Sequence, residues 1–271
     1  MLYSRSGKLL VATGIVNWFL EKRVCTREKG AGLLFFHHIS TYQCTPLSCV
    51  HTYKIYGLKV FSDFKFKGIE RLGRKKESKK NADIEILNED SGRLHTQKRS
   101  EKIKGYFPNL LEFVIYDGSK VYIDSTSGAD EDEIATAILG DIMAILLRQR
   151  GLYVLHACCL SINGRAFSLV GDSGAGKSTT AYFLARNAWN LLSDDITAID
   201  MKPGGLHVIP GPPRVKLKPE VGTQFVNDFE GKKKVHQRSE KRYVYLERSN
   251  EPSVLNKIYV LKRGKKRALR I

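Results

Sequence analysis

The sequence has no apolar run long enough to cross a membrane as a helix. Its first apolar run, Leu9 to Leu20, is about a dozen residues long and contains polar residues, whereas a spanning helix needs about 20. Arg5 and Lys8 precede this run as they would in a secretory signal, but Glu21 to Arg23 follows in place of a small-residue cleavage site. We therefore expect neither stable membrane insertion nor secretion.

Cysteines are also few, and their spacing has no repeating pattern. The chain has five, an odd number, and two of them, Cys158 and Cys159, are adjacent in an apparent strand. This set does not form the paired framework of a small secreted domain that depends on disulfides. A reducing, cytoplasmic location is the simplest expectation.

Acidic residues are scarce relative to basic ones, with 28 Asp and Glu against 45 Lys and Arg and a formal net charge of +17. The excess favours an acidic partner, which leaves nucleotides, acidic peptides, nucleic acids and anionic membranes open. The basic run Arg71 to Lys80 has no interleaved aromatic residues and belongs to no motif that reads bases. We therefore favour a solvated loop there and do not expect nucleic-acid binding.

The strongest motif is Gly171 to Ser178, which fits the phosphate-binding pattern GxxxxGK[ST]. The apolar run Ala166 to Val170 precedes it and the helix-compatible run Thr179 to Arg186 follows it, as the pattern requires. Backbone N–H groups and a helix N-terminus would then surround an anion, with Lys177 at the β- and γ-phosphates and Ser178 on Mg²⁺. The predicted nucleotide-binding residues are Gly171, Asp172, Ser173, Gly174, Ala175, Gly176, Lys177, Ser178 and Thr179.

A hairpin is predicted immediately before this motif, because Asn163-Gly164 separates the apolar runs Tyr153 to Ile162 and Arg165 to Val170. A two-residue turn sets the register, so that Ile162 faces Arg165, Ala157 faces Val170 and His156 faces Gly171. We therefore expect His156 to lie at the phosphates. A histidine that braces the core or the loop is the alternative.

Two carboxylates, Asp194 and Asp195, follow the apolar residues Leu191 and Leu192. We expect this segment to form a parallel neighbour of the strand before the phosphate loop, with both aspartates beside the loop. One would hold Mg²⁺ and the other would act on an attacking hydroxyl, in an order that the sequence leaves open. The alternative is a simple Asp-Asp turn or cap.

Basic side chains beyond the aspartates are candidates for contacts with an anionic substrate. Arg214 follows the turn Gly211 to Pro213, where it would either neutralise phosphate charge or lie on the surface. The polar and basic segment Gly231 to Arg242 suits a mobile loop that closes over an anionic substrate.

The remaining pattern gives the domain organisation. Residues 1–50 have no clear periodicity and are predicted to be an extension, and residues 51–125 are predicted to be a small, mostly antiparallel β subdomain. Its predicted strands are Tyr53 to Phe61, Ala82 to Leu87, Leu111 to Tyr116 and Lys120 to Asp124. Residues 126–271 form the predicted nucleotide-binding domain, which begins with a helix capped by Asp130 and ended by Gly151.

The order of these features resembles the catalytic domain of the HPr serine kinase family, whose fold is similar to phosphoenolpyruvate carboxykinase. The resemblance covers about residues 150–262 and rests on His156, the phosphate loop, the aspartate pair and the Gly-Pro-Pro-Arg turn. Tyr53 to Val60 also resembles the start of shorter HPr-kinase-like proteins from peptide-modification clusters. These include kinases that phosphorylate the C-terminal serine of lasso-peptide precursors.

The resemblance implies an α/β P-loop domain of the phosphoenolpyruvate carboxykinase type and an ATP- and Mg²⁺-dependent serine kinase acting on a peptide or small protein. Lys177 would bind phosphates, Ser178 and Asp194 the metal, and His156 with an aspartate would act on the acceptor hydroxyl, with Arg214 at the phosphates. Pyrophosphate as donor, an oligomer, a misplaced start and a truncated end all remain open. The downstream loop of HPr kinase/phosphorylases was not found, so phosphorylase activity and HPr itself are not expected. A non-catalytic nucleotide-binding or peptide-docking protein is the alternative.

Overall fold

The structure is a computed structural model that describes residues 51–69, 72, 81–89, 102–247 and 251–262. Across these residues it is a mixed α/β protein with two six-stranded sheets, a two-stranded sheet and short helices. None of the helices in the described part is long and apolar enough to span a membrane. The predictions for residues 1–50, for nearly all of the run Arg71 to Lys80 and for the tail after residue 262 lie outside the described residues.

The first sheet has the strand order β1-β2-β3-β6-β5-β4. Its strands are β1 (His51–Ile55), β2 (Leu58–Ser62), β3 (Ile84–Asn88), β4 (Lys102–Phe107), β5 (Leu111–Tyr116) and β6 (Lys120–Ser125). β3 pairs in parallel with β2 and β6, and the other three pairings are antiparallel. The sheet is therefore mostly antiparallel, as predicted, and it includes a strand, β4, that the sequence pattern did not indicate.

The run Tyr53 to Phe61, predicted as one strand, is a hairpin. β1 and β2 are joined by Tyr56 and Gly57, with φ angles of 52° and 75°. Such a two-residue turn needs positive φ at both positions, a conformation typical of Asn and Gly and uncommon for an aromatic residue. The prediction was wrong because Tyr56 is apolar enough to continue the strand pattern.

A helical segment follows the first sheet, made of α1 (Glu131–Ala137), a π-helical turn (Ile138–Ile142) and α2 (Met143–Gln149). Asp130 caps α1 and accepts a hydrogen bond from the Asp132 N–H at 2.9 Å, which confirms the predicted N-cap. The apolar residues that recur at helical spacing along this segment are buried: Ile134, Ile138, Ile142, Ile145 and Leu146. The π-helical turn was not predicted.

The second half of the chain contains the remaining elements. They are β7 (Tyr153–Ile162), β8 (Arg165–Gly171), α3 (Lys177–Ala185), β9 (Asn190–Ser193), β10 (Ile196–Lys202), β11 (Gly205–Ile209), β12 (Arg214–Leu217), α4 (Pro219–Phe225), β13 (Arg242–Tyr245) and β14 (Ser253–Leu261). The second sheet has the order β10-β11-β14-β8-β7-β9, and β10 also pairs with β7, so five strands close into a ring. β12 and β13 form the two-stranded sheet.

The predicted hairpin register is confirmed, since Ile162 pairs with Arg165 and Ala157 with Val170. The predicted place of the strand before the aspartates is wrong. β9 pairs antiparallel with β7 and is separated from β8 by that strand. Both edges of β8 are taken, one by its hairpin partner β7 and the other by β14, which pairs in parallel with β8 along its length.

The largest core cluster connects the two large sheets through the helical segment. It contains Tyr53 and Ile86 from the first sheet, Ile138 and Leu146 from the helical segment, and Val154 from the second. A second cluster lies under α3 and includes Cys158, Leu160, Ala181 and Tyr182. Apolar packing therefore continues from one sheet to the other, although the predicted subdomains separate at residue 125.

We predict that Leu146→Ala lowers the free energy of unfolding by about 2–5 kcal/mol, because a fully buried leucine leaves a cavity when truncated. Since Leu146 belongs to the shared cluster, denaturant unfolding should remain one transition for both sheets. Met201→Ala is the control, because Met201 is 62% exposed, and it should change stability by less than about 0.5 kcal/mol. Two separate transitions, with only one shifted by Leu146→Ala, would contradict a shared core.

Candidate functional site

The phosphate-loop motif forms a tight connection between β8 and α3, and glycines shape it. Gly171, Gly174 and Gly176 have φ angles of 152°, 83° and 100°. A Cβ at Gly171 would lie 2.5 Å from the Leu261 carbonyl oxygen, so only glycine fits at the end of β8. The middle of the loop, residues 172–174, is exposed and open to a ligand.

The Lys177 side chain lies along the loop, with 8% of the residue exposed. Its ammonium group donates hydrogen bonds to the carbonyl oxygens of Gly171 at 2.7 Å and Asp172 at 3.2 Å. Because α3 begins at Lys177, the N–H groups of its first turn have no acceptor within the helix. A helix N-terminus preceded by a glycine-rich loop and a lysine has the chemistry of an anion-binding site.

The two aspartates lie at a break between two strands. β9 and β10 both pair antiparallel with β7. Asp194 and Asp195 lie between them and interrupt what would otherwise be one long strand beside β7. Asp195 has a φ of 68°, the Ile196 N–H donates to the Asp194 carbonyl at 2.9 Å, and the Ala157 N–H donates to the Asp195 carbonyl at 3.2 Å. The left-handed residue at the break turns the two side chains toward different partners.

The contacts of Asp194 connect it to the phosphate loop. One carboxylate oxygen accepts a hydrogen bond from the Ser178 hydroxyl at 2.9 Å, and the other accepts one from the Lys216 backbone N–H at 3.0 Å. Ser178 and Asp194, the two predicted metal ligands, are therefore in direct contact, although 16 positions separate them in sequence. Their oxygen atoms are of the kind that Mg²⁺ prefers.

Asp195 forms an ion pair with the Lys216 ammonium group, and both side chains are mostly buried. Lys216 was not among the site residues predicted from the sequence. The alternation in β12 could have indicated it, because Val215 and Leu217 are buried in the core while Arg214 and Lys216 lie on the other face of the strand. Lys216 thus holds both aspartates, one through its backbone and the other through its side chain.

The two aspartates have opposite pKa shifts. Burial and the charge of Asp195 raise the pKa of Asp194 to about 6. Burial also raises the pKa of Asp195, but the Lys216 ammonium group outweighs it and, with smaller contributions from His156 and Lys241, holds the pKa well below its ordinary value. At neutral pH Asp195 is therefore a firmly ionised carboxylate, whereas Asp194 takes up a proton more readily.

A pocket opens beside the aspartates. Its polar lining includes Tyr56, Asp194, Asp195, Arg214, Lys216 and Tyr243, and Leu139 and Gly140 of the π-helical turn contribute to its wall. π-Helical turns are frequent next to functional sites, where the extra residue moves the wall of a helix outward. The pocket is thus built from the turn of the first sheet, the helical segment, the break in the second sheet and the two-stranded sheet together.

Arg214 is almost buried, contrary to the surface alternative. Its guanidinium group donates to the Lys67 carbonyl at 2.9 Å and lies 3.8 Å from the centre of the Tyr243 ring. These contacts brace the pocket wall and place a cation on the pocket lining. Whether Arg214 contacts phosphate stays a prediction.

His156 is on β7, one position before the pair Ala157 and Val170, so the register places it level with Gly171. It also pairs with Ile196, the residue after Asp195, and its charge helps to lower the pKa of Asp195. The structure thus brings His156, the loop and both aspartates to the middle of β7, where its pairing passes from β10 to β9. The catalytic role of His156 stays a prediction.

Comparison with known proteins adds no family to this description. No protein-family profile matches the chain, and a search of curated proteins finds no match. The site is therefore interpreted from its own geometry.

We predict that Asp194→Asn makes stability less dependent on pH. The pKa of Asp194, about 6, lies above its ordinary value of 3.8, so the folded state binds the proton more tightly than the unfolded chain. Stability conferred by this group is therefore lost as pH rises from about 4 to about 6. The amide side chain of the variant does not titrate, so the variant should not lose stability in this way.

Chemical denaturation of both proteins, in buffer with a metal chelator, checks this prediction. The stability of the variant relative to the wild type should be more favourable at about pH 7.5 than at about pH 4.5. Any hydrogen bond lost when an amide replaces the carboxyl group changes the stability by nearly the same amount at both pH values. This change therefore cancels when the two differences are compared. An identical difference at both pH values would contradict the raised pKa of Asp194.

Proposed function

We propose that the protein is an ATP- and Mg²⁺-dependent kinase that transfers a phosphoryl group to a serine hydroxyl of a peptide or small protein. The observation that carries the proposal is the 2.9 Å contact between Ser178, at the start of α3, and Asp194, at the end of β9. In P-loop enzymes the loop Ser or Thr and a strand-end Asp hold Mg²⁺. The proposal includes a nucleotide-binding domain of the phosphoenolpyruvate carboxykinase type, to which the mixed α/β architecture is suited.

The residues present fit both a nucleotide and a metal ion. The loop approaches the carbonyl of Leu261 so closely that Gly171 has no room for a Cβ, and Gly174 and Gly176 have left-handed backbones. Such a backbone lets N–H groups converge on phosphate oxygens. The Lys177 ammonium supplies a positive charge at the loop, and the Ser178 and Asp194 oxygens supply hard ligands for Mg²⁺. When bound, the metal would neutralise phosphate charge.

The contacts of the two aspartates suggest a different role for each of them. Asp194 contacts Ser178 and is assigned to the metal, which leaves Asp195 to accept the proton of the acceptor hydroxyl. The Lys216 ion pair keeps Asp195 ionised, as a proton acceptor requires, and His156 lies beside it to orient the hydroxyl. Lys177 and Arg214 supply charge, so most of the catalysis consists of positioning and neutralisation.

The acceptor would enter beside a basic segment. The segment Gly231 to Arg242 lies against the acidic N-terminus of α1, with the Lys233 ammonium 2.9 Å from Asp132 and the Gln237 N–H 2.9 Å from Asp130. The charge of Lys241 helps to lower the pKa of Asp195, and Tyr243, directly after the segment, lines the pocket, so the segment ends beside it. Together with the net charge of +17, this favours a peptide or protein acceptor with acidic residues. The closure of this segment over substrate stays a prediction.

One observation favours a second candidate, a nucleotide-binding protein without turnover. An Asp195 held in an ion pair with Lys216 is a weaker base than a free carboxylate. Incubation with ATP labelled at the γ-phosphate and candidate peptides separates the two. Binding of nucleotide with no transfer to any serine peptide would favour the second candidate.

We predict that Lys177→Met and Asp195→Asn each reduce phosphoryl transfer by at least about a thousandfold while leaving the fold intact. Lys177→Met should also weaken ATP binding, whereas Asp195→Asn should not, because Asp195 pairs with Lys216 while Lys177 bonds to the loop carbonyls. Steady-state kinetics and ATP titration check this, with circular dichroism for the fold. Lys202→Met is the control, since Lys202 is exposed and pairs with Asp200 outside the pocket. Full activity in either site variant would refute its role.

We predict that Ser178→Ala raises the Mg²⁺ concentration needed for half-maximal activity by about tenfold or more, because it removes one proposed metal ligand and one of the two hydrogen-bond donors to Asp194. Saturating Mg²⁺ should restore part of the rate. Rates measured over a range of free Mg²⁺ at fixed ATP check this. Thr223→Ala, which removes an exposed hydroxyl on α4, should leave the Mg²⁺ dependence unchanged. An unchanged Mg²⁺ requirement in Ser178→Ala would show that Ser178 is not a ligand.

A further inference from the structure

One residue of the first sheet reaches into the candidate site of the second. Tyr56 lies in the β1–β2 turn, is 4% exposed and lines the pocket with the aspartates. Its hydroxyl donates a hydrogen bond to the Ile196 carbonyl oxygen at 2.8 Å, although 140 positions separate the two residues. Ile196 directly follows Asp195 and is the first residue of β10, so this bond holds the start of β10 beside the break.

The surroundings of Tyr56 are shaped to its ring. A Cβ at Gly211 would lie 2.7 Å from a ring carbon of Tyr56, so the glycine leaves the space that the ring occupies. The Gly211 N–H donates to the Leu192 carbonyl at 2.7 Å, which fixes this wall to β9, the strand before the aspartates. The ring therefore packs against a residue that is bonded to β9, while its hydroxyl bonds to the first residue of β10.

The backbone of Tyr56 indicates that the side chain has a specific task. Among the described residues seven other than glycine have positive φ, and five of them are Asn or Asp, which tolerate this conformation. A tyrosine at 52° is unfavourable in a turn where asparagine or glycine would serve. Strained residues of this kind persist where the surrounding structure requires them, often at functional sites.

The chemistry of the hydroxyl suits a fixed donor. Burial and the charges of Asp195 and Asp194 raise the pKa of Tyr56 far above its ordinary value, so the phenol keeps its proton. It cannot serve as a base, and its one hydrogen is directed to Ile196. The group therefore acts on the site through the backbone of Ile196, the residue next to Asp195.

We propose that Tyr56 is a positioning residue that holds the left-handed turn at Asp195, which makes the first sheet an obligatory part of the active site. The proposal rests on the proposed kinase function for its effect on rate, but its structural part can be measured without any activity. It gives residues 51–125 a role beyond packing, because the hairpin β1–β2 fixes the carboxylate that receives the acceptor proton.

The test compares Tyr56→Phe with Tyr53→Phe. Tyr53 is in the same hairpin and fully buried, and its hydroxyl accepts a hydrogen bond from the Phe66 N–H at 2.8 Å within the first sheet. Both variants keep the ring and lose a buried, hydrogen-bonded hydroxyl, but of the two residues only Tyr56 lines the pocket. We expect Tyr56→Phe to lower kcat by about tenfold or more, with KM for ATP changed less than about twofold. Tyr53→Phe should leave both constants near wild type.

Amide hydrogen exchange of Ala157 is the second measurement, because its N–H donates to the Asp195 carbonyl. Exchange at Ala157 should speed up in Tyr56→Phe beyond any change in global stability, and should not in Tyr53→Phe. Wild-type kcat and exchange in Tyr56→Phe, or equal losses in both variants, would overturn the proposal. If the wild type transfers no phosphoryl group, the kinase function fails, and the exchange comparison alone decides the role of Tyr56.

Discussion

The candidate site depends on the way β7 pairs with two strands in succession. Its first half pairs with β10 and its second half with β9, so the chain between them must leave the ladder at Asp194 and Asp195. The left-handed backbone of Asp195 makes this break without losing the bond from Ala157. β7 also forms the hairpin with β8, which ends at the phosphate loop. One strand therefore sets the distance between loop and carboxylates.

Electrostatic interactions also hold the two aspartates in place. Two carboxylates on neighbouring residues repel each other. Burial and this repulsion both raise the pKa of Asp194. Lys216 stabilises the pair by ion-pairing with Asp195 and by donating its backbone N–H to Asp194. In the proposed enzyme a metal ion would take over part of this task at Asp194, which would leave the two carboxylates in different environments suited to different roles.

The parts of the site that the sequence predicted are local. The register of β7 and β8 follows from the two-residue turn at Asn163 and Gly164, and the loop follows from the spacing of its glycines and Lys177. The parts that it missed depend on distant pairing. Lys216 comes from a strand beyond the aspartates, the strand β9 is displaced because β14 occupies the edge of β8, and Tyr56 comes from another sheet. No local pattern encodes which strand takes a free edge.

In the proposed enzyme the loop, Ser178 and Asp194 form one metal-dependent nucleotide site. Calorimetric titration of the wild-type protein with ATP, in Mg²⁺ and again with the metal chelated, measures whether they do. We expect one site per chain whose affinity rises at least about tenfold with Mg²⁺, a change of about 1.4 kcal/mol in binding free energy. Absence of binding, or binding of equal strength without the metal, would contradict it.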